Sequence, residues 1–280
     1  MKKLLCVGLT LILLSGYTIP IVQAETLESE LAIQEEQITE ALEEENLELV
    51  ESEFNPEKET YEIQAENENG ELVTLELELG ATEIAAEVES VDGELENYHI
   101  SFDENAYIDE SSVDEEPLEI EIIELSTGEV FEAEELEGEL SAVAIPLGIP
   151  IVWSALLALI KACLVVIASG MTFIAAKSVA TSILKNKKKK NHYYARIKGG
   201  VLYIGPGATE AQALAWLRKG QSTWSTSKNL AKTIVGKIAK GTPINEIDKQ
   251  NGKPKKGYYW HYHSANRKPK GHHAFYGTAA

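Results

Sequence analysis

Between residues 25 and 140 the chain carries 42 acidic residues and one basic residue, Lys58. Residues 185–280 invert that balance, with 20 Lys and Arg against only Glu210, Glu246 and Asp248. The net charges are −41 and +17. An unpaired charge is too costly to bury. The acidic half can therefore fold only with its carboxylates on an outer face and apolar residues on the other. The asymmetry predicts separate modules, with the basic one facing a polyanion or the acidic module itself. The two cysteines are Cys6 and Cys163. Cys6 lies in a leader-like stretch, so no disulfide is expected in the mature chain and stability must come from packing.

The start, MKKLLCVGLTLILLSGYTIPIVQA, reads as a signal peptide over 1–24. Lys2 and Lys3 precede an apolar run, and Val22-Gln23-Ala24 supplies a small-residue cleavage site. An exported protein, secreted or membrane-anchored, is expected. Residues 25–53 space Leu and Ile loosely among acids and predict a helical or disordered arm. From Phe54 the period becomes two. Thr60–Ala65, Glu71–Leu79, Tyr98–Phe102, Leu118–Leu125 and Val130–Ala133 alternate, with turns at Asn67–Gly70 and Ser126–Gly128. Residues 54–140 therefore predict an acidic antiparallel β-rich domain with glutamate on its outer face. The carboxylates are evenly spread and form no calcium-loop pattern.

Residues 144–184 are apolar. Within 151–176 the one charge is Lys161, and twelve residues are Leu, Ile, Val or Phe. At ~0.3–0.6 kcal/mol each, these outweigh the ~2.5–3.5 kcal/mol cost of a central Lys. A hydrophobic, membrane-contacting transmembrane helix is predicted, and the alternative is a buried helix or hairpin broken near Gly170. Residues 185–190 are a basic linker. Residues 191–280 read as a compact basic ββααββ domain. It has a Gly199-Gly200 hairpin, a helix capped by Thr209 with Gln212, and a second helix from Ser225 or Ser227. The whole is an α+β chain.

Several of these stretches resemble a known arrangement. They are the leader, Glu53–Glu62, Asn69–Thr74, the apolar segment from Ile145 and the distinct basic C-terminal module. They look like a family of toxin-like secreted proteins of Gram-positive bacilli and staphylococci. There a shared front half carries exchangeable C-terminal modules, as in polymorphic toxins. The resemblance implies a toxin function and an immunity protein as partner. The ending, His-x-His, a short loop and then a His ahead of Tyr-Gly, resembles uncharacterised toxin modules.

That ending, WHYHSANRKPKGHHAFYG, holds four of the chain's six histidines. Strand period places His261 and His263 on one face, expected to be open, and Tyr258, Trp260 and Tyr262 on the other, against the helices. An eight-residue loop would return His272 and His273 toward them. Three chemistries use such a cluster. In metal-independent RNA cleavage, two of His261, His263, His272 and His273 act as base and acid, and Arg267 or Lys270 steadies the phosphate. Lys253, Lys255, Lys256 and Lys268 would hold the RNA backbone and Tyr276 a base, with Trp216 and Trp224 as further stacking surfaces. A zinc site on three histidines is the second chemistry. The scarcity of acids argues against magnesium, and the short tail against a His-Asn-His nuclease. Binding to an anionic polymer or surface without catalysis is the third. The first is the favoured reading, with no metal or other cofactor expected.

Overall fold

A computed structural model describes residues 36–102, 120–132 and 148–280. The signal peptide expected over 1–24 and the start of the acidic arm lie outside the described residues. A helix over 36–44 (α1) leads directly into strand β1 (Leu47–Asn55). The last part of the expected arm is thus a strand. Its loose helical spacing yields to pairing, because Leu47 lies opposite Asn67 and the register runs to Asn55 opposite Thr60.

From β1 an antiparallel meander follows: β2 (Thr60–Asn67), β3 (Leu72–Glu78), β4 (Glu83–Glu89), β5 (Leu95–Phe102), β6 (Ile120–Glu124) and β7 (Val130–Glu132). Each strand pairs with the next. In β4, Ile84, Ala86 and Val88 are buried while Glu83, Glu87 and Glu89 are exposed, which is the arrangement the period of two requires. Asn67 shapes the β2–β3 turn: its Oδ1 accepts from the amides of Asn69 and Glu71, each at 3.0 Å.

The apolar segment departs from expectation. It is not one helix. It forms α2 (Gly148–Lys161), a hairpin of β8 (Val165–Ile167) and β9 (Thr172–Ala175), and α3 (Ala176–Lys185). Cys163, Ser169 and Gly170 take positive φ and reverse the chain. Among the described residues no helix is long and apolar enough to cross a membrane. At 1.5 Å per residue α2 spans about 21 Å, against ~30 Å of hydrocarbon. Its apolar side chains are buried by protein instead: α2 packs on β3 and β4, and α3 on β1, β9 and β11. Ile149, Val152, Leu156 and Leu159 are fully buried, and each contributes about 1.5–3 kcal/mol. Lys161 avoids burial by reaching the surface, 2.5 Å from Glu45.

Strands β8 and β9 enter a second sheet of eight strands, ordered β13-β16-β17-β12-β10-β11-β9-β8. Its other members are β10 (His192–Lys198), β11 (Val201–Ala208), β12 (Ser222–Ser225), β13 (Ile244–Glu246), β16 (His261–His263) and β17 (Ala274–Tyr276). A separate hairpin holds β14 (Lys249–Gln250) and β15 (Lys253–Pro254). Helices α4 (Glu210–Arg218) and α5 (Lys228–Gly236) lie between strands in the chain. The expected ββααββ order lacks β12, β13 and the short β14–β15 hairpin. Ser222–Ser225 is buried along its whole length between β10 and β17, so no alternation marks it. The boundary expected at residue 191 also falls inside a sheet, since β11 pairs with β9. The Gly199-Gly200 turn and the Thr209–Gln212 capping box form as expected; both glycines have positive φ.

The two sheets share one apolar core. Thr172 bridges them, its amide and hydroxyl both donating to the Ala81 carbonyl, while Gly80 N donates to Thr172 O. The acidic part also meets the basic part through Lys188–Glu57 and the apolar segment through Lys161–Glu45. Such surface pairs contribute ~0–1 kcal/mol each, so the shared apolar core holds the halves together.

Candidate functional site

The eight-stranded sheet has two unlike faces at its β13–β16–β17 end. On one, Tyr262 and Ala274 pack with Ala213, Leu217, Ala231, Ile234 and Val235 of α4 and α5. Alternation sends the neighbours to the opposite face, where His261, His263, His273 and Phe275 line a cleft of about 420 Å³. Glu246, Asp248, Tyr258, Tyr259, Arg267 and Leu202 complete its wall. The histidine face is not open as expected. His261 is 6 % exposed and His263 9 %, because the end of the β10–β11 hairpin and the Tyr258–Tyr259 segment cover it. Of the three aromatics expected against the helices, only Tyr262 belongs to that cluster.

Three imidazoles converge. Ring centres of His261 and His263 lie 5.0 Å apart, His261 and His273 5.1 Å, and His263 and His273 4.5 Å. One nitrogen from each falls within 4.8 Å of the others. The β16–β17 pairing, Tyr262 opposite Ala274, brings the C-terminal histidine back to the first two. His261 Nδ1 sits 3.1 Å from the Tyr259 carbonyl. It donates there, which leaves Nε2 with its lone pair. Ser222 Oγ lies 3.4 Å from His273 Nδ1.

His272 does something else. It is fully buried. Its Nε2 accepts from the Ser264 amide at 2.9 Å, and its Nδ1 donates to the Pro269 carbonyl. Both nitrogens are occupied, so His272 pins the loop and does not act in the cleft. Ser264 Oγ braces the same loop, accepting from Lys268 N at 3.1 Å and facing Lys268 O at 2.9 Å. The end of α4 closes against it: Gly220 has φ +82°, and a Cβ there would lie 2.8 Å from the Lys270 carbonyl.

Glu246 is the residue sequence reasoning missed. No acid lies within ten residues of the cluster along the chain. The β13–β16 register nevertheless places it opposite His261. Its Oε1 is 2.9 Å from His263 Nε2 and 3.9 Å from His261 Nε2. Arg267 donates to both carboxylate oxygens, at 2.8 and 2.7 Å. The guanidinium holds the Glu246 pKa below the usual carboxylate range, with His263 and His261 adding to the effect. Burial lowers the pKa of His261 and His263, outweighing the nearby carboxylate. His273 is pushed down to about 4 by burial and then by the other two histidines. Burial thus biases all three imidazoles toward the uncharged form.

The remaining candidates are scattered. Arg267 lines the cleft. Lys253, Lys256, Lys268 and Lys270 are exposed and are not part of its lining. Lys255 donates to the Tyr258 hydroxyl at 2.6 Å and lies over that ring. Tyr276 is on the helix side of β17, its ring tilted against Tyr262 at 5.7 Å and its hydroxyl donating to Asn245 Oδ1 at 3.0 Å. It is on the wrong face to stack a base in the cleft. Trp224 is fully buried, with its indole N–H on the Gly277 carbonyl, and Trp216 packs on Tyr194 beneath Arg196. Comparisons with protein-family profiles, with curated proteins and with solved structures give no match to this chain.

Proposed function

We propose that the cleft cleaves phosphodiester bonds in RNA by acid–base chemistry, within an exported toxin-like protein whose producer is protected by an immunity protein. The supporting observation is the meeting of His261, His263 and Glu246 at the bottom of one cleft in the basic half of the chain. The lone pair of His261 Nε2 takes the proton of a ribose 2′-hydroxyl. The freed oxygen attacks the adjacent phosphorus. His263, when it enters the cycle protonated and paired with Glu246, gives that proton to the departing 5′-oxygen, leaving a cyclic phosphate; burial disfavours its charged form and so makes it a ready donor. Arg267 spends two N–H groups on Glu246 and offers the others to the phosphorane oxygens. The exposed lysines of the basic half attract the RNA backbone, and that attraction weakens with salt. Membrane contact through 151–176, the other expectation for this chain, would need side chains now buried in the shared core to leave it.

The test uses the full-length protein, single-stranded RNA and EDTA. Wild type cleaves to cyclic-phosphate ends. His263→Ala and Glu246→Gln each lower the rate by about 10²–10⁴-fold, the usual worth of a positioned acid or base. An inactive wild type, or variants as active as wild type, refutes the reading.

A further inference from the structure

The convergence of His261, His263 and His273 has a use that acid–base cleavage does not require. That chemistry needs two imidazoles, and the site holds three, with ligand nitrogens within 4.8 Å of one another. We infer that these three histidines form a site for one zinc-class divalent ion, and that the ion, when bound, switches off the cleavage chemistry of the same cleft. The second half rests on the function proposed above; the first does not.

The donor set suits such an ion. Three imidazoles leave the fourth tetrahedral position to water from the cleft. With Zn–N bonds of ~2.0–2.1 Å, tetrahedral ligand nitrogens lie about 3.4 Å apart. Small rotations of the three rings, by about an ångström at the nitrogens, close the observed triangle to that size. His261 and His273 keep partners on their Nδ1 atoms, the Tyr259 carbonyl and Ser222 Oγ, which orient the rings. Glu246, backed by Arg267, stands beside the His263 ring as the outer carboxylate that commonly accompanies a metal-bound histidine. An ion held there takes the His261 lone pair that the 2′-hydroxyl proton needs, so occupancy and cleavage exclude each other.

The full-length protein, stripped of metal, is titrated with Co²⁺ as a spectroscopic stand-in for zinc. Strong visible bands of a tetrahedral site, saturating at one ion per chain, are expected. They are lost in His261→Ala and in His273→Gln, a variant that keeps side-chain bulk. They remain in His99→Ala, which alters a half-exposed histidine on the other sheet. Glu246→Gln weakens binding about 10–100-fold, as loss of an outer-sphere partner does. A wild type with no such bands, or bands that survive His261→Ala and His273→Gln, overturns the site whatever the folding of any variant. In the activity arm, added Zn²⁺ suppresses RNA cleavage and EDTA restores it. Zinc that stimulates cleavage overturns the switch. Cleavage without Co²⁺ binding sinks this inference and leaves the proposed function standing; Co²⁺ binding without cleavage sinks the proposed function and the switch and leaves the metal site standing.

Discussion

The same period of two runs through β4 and β16, with opposite results. In β4 the titratable residues Glu83, Glu87 and Glu89 face solvent while Ile84, Ala86 and Val88 face the core. In β16 the titratable residues His261 and His263 are buried along with Tyr262 between them. The difference lies in what covers the second face. The meander has apolar helices on one side and water on the other. The C-terminal sheet has α4 and α5 on one side and, at its end, the cleft wall of Tyr258, Tyr259 and the β10–β11 turn on the other. Alternation thus tells which residues share a face. It does not tell which face is wet, because that depends on segments distant in sequence.

The largest effect expected from this contrast comes from cutting between the regions. Residues 191–280 made alone lose β9, and with it the burial of Phe173 and Ile174. Each such side chain contributes about 1.5–3 kcal/mol, against a total stability of ~5–15 kcal/mol. The fragment is expected to show no cooperative thermal transition by circular dichroism, while the full chain melts cooperatively. A fragment that melts like the whole protein would show that the basic half is independent after all.

Next comes a contrast within the cleft. His272→Ala leaves the Ser264 amide and the Pro269 carbonyl buried without their partner. A loss of about 1–3 kcal/mol in denaturant melts is expected. His263→Ala leaves Glu246 still paired with Arg267, so its cost falls mainly on RNA cleavage. If the two variants are equally destabilised and equally inactive, the division between a pinning and a reacting histidine is wrong.

The smallest effect belongs to the acidic face. Glu87→Gln on β4 alters an exposed side chain, and a change within about 0.5 kcal/mol is expected in the same melts. A larger loss would mean that the glutamates do more than solubilise the sheet.

Much of the fold was legible. The alternation of apolar and acidic residues marked the β2, β3 and β5 strands, Asn67–Gly70 the β2–β3 turn, Gly199-Gly200 the β10–β11 turn, and Thr209 with Gln212 the start of α4. These features are local, and the physics that sets them acts over a few residues. The strand Ser222–Ser225 was not legible, because a strand buried on both faces has no alternation to read. For a related reason the apolar segment left two readings open, a membrane helix and a buried helix or hairpin broken near Gly170. Hydropathy measures the tendency to leave water and does not distinguish lipid from a protein core, whereas the reversals at Cys163 and Ser169-Gly170 decide that this segment folds back on itself.

The site divides the same way. By itself the sequence determined that His261 and His263 share a face and that a loop returns a histidine toward them. Only the tertiary structure decided which one, placing His273 in the triangle and locking His272 into the loop. Only the tertiary structure supplied Glu246, through a strand register fifteen residues away. The reason is physical. Side-chain direction along one strand follows from backbone geometry, whereas the neighbours a side chain meets are set by which strands pair and in what register.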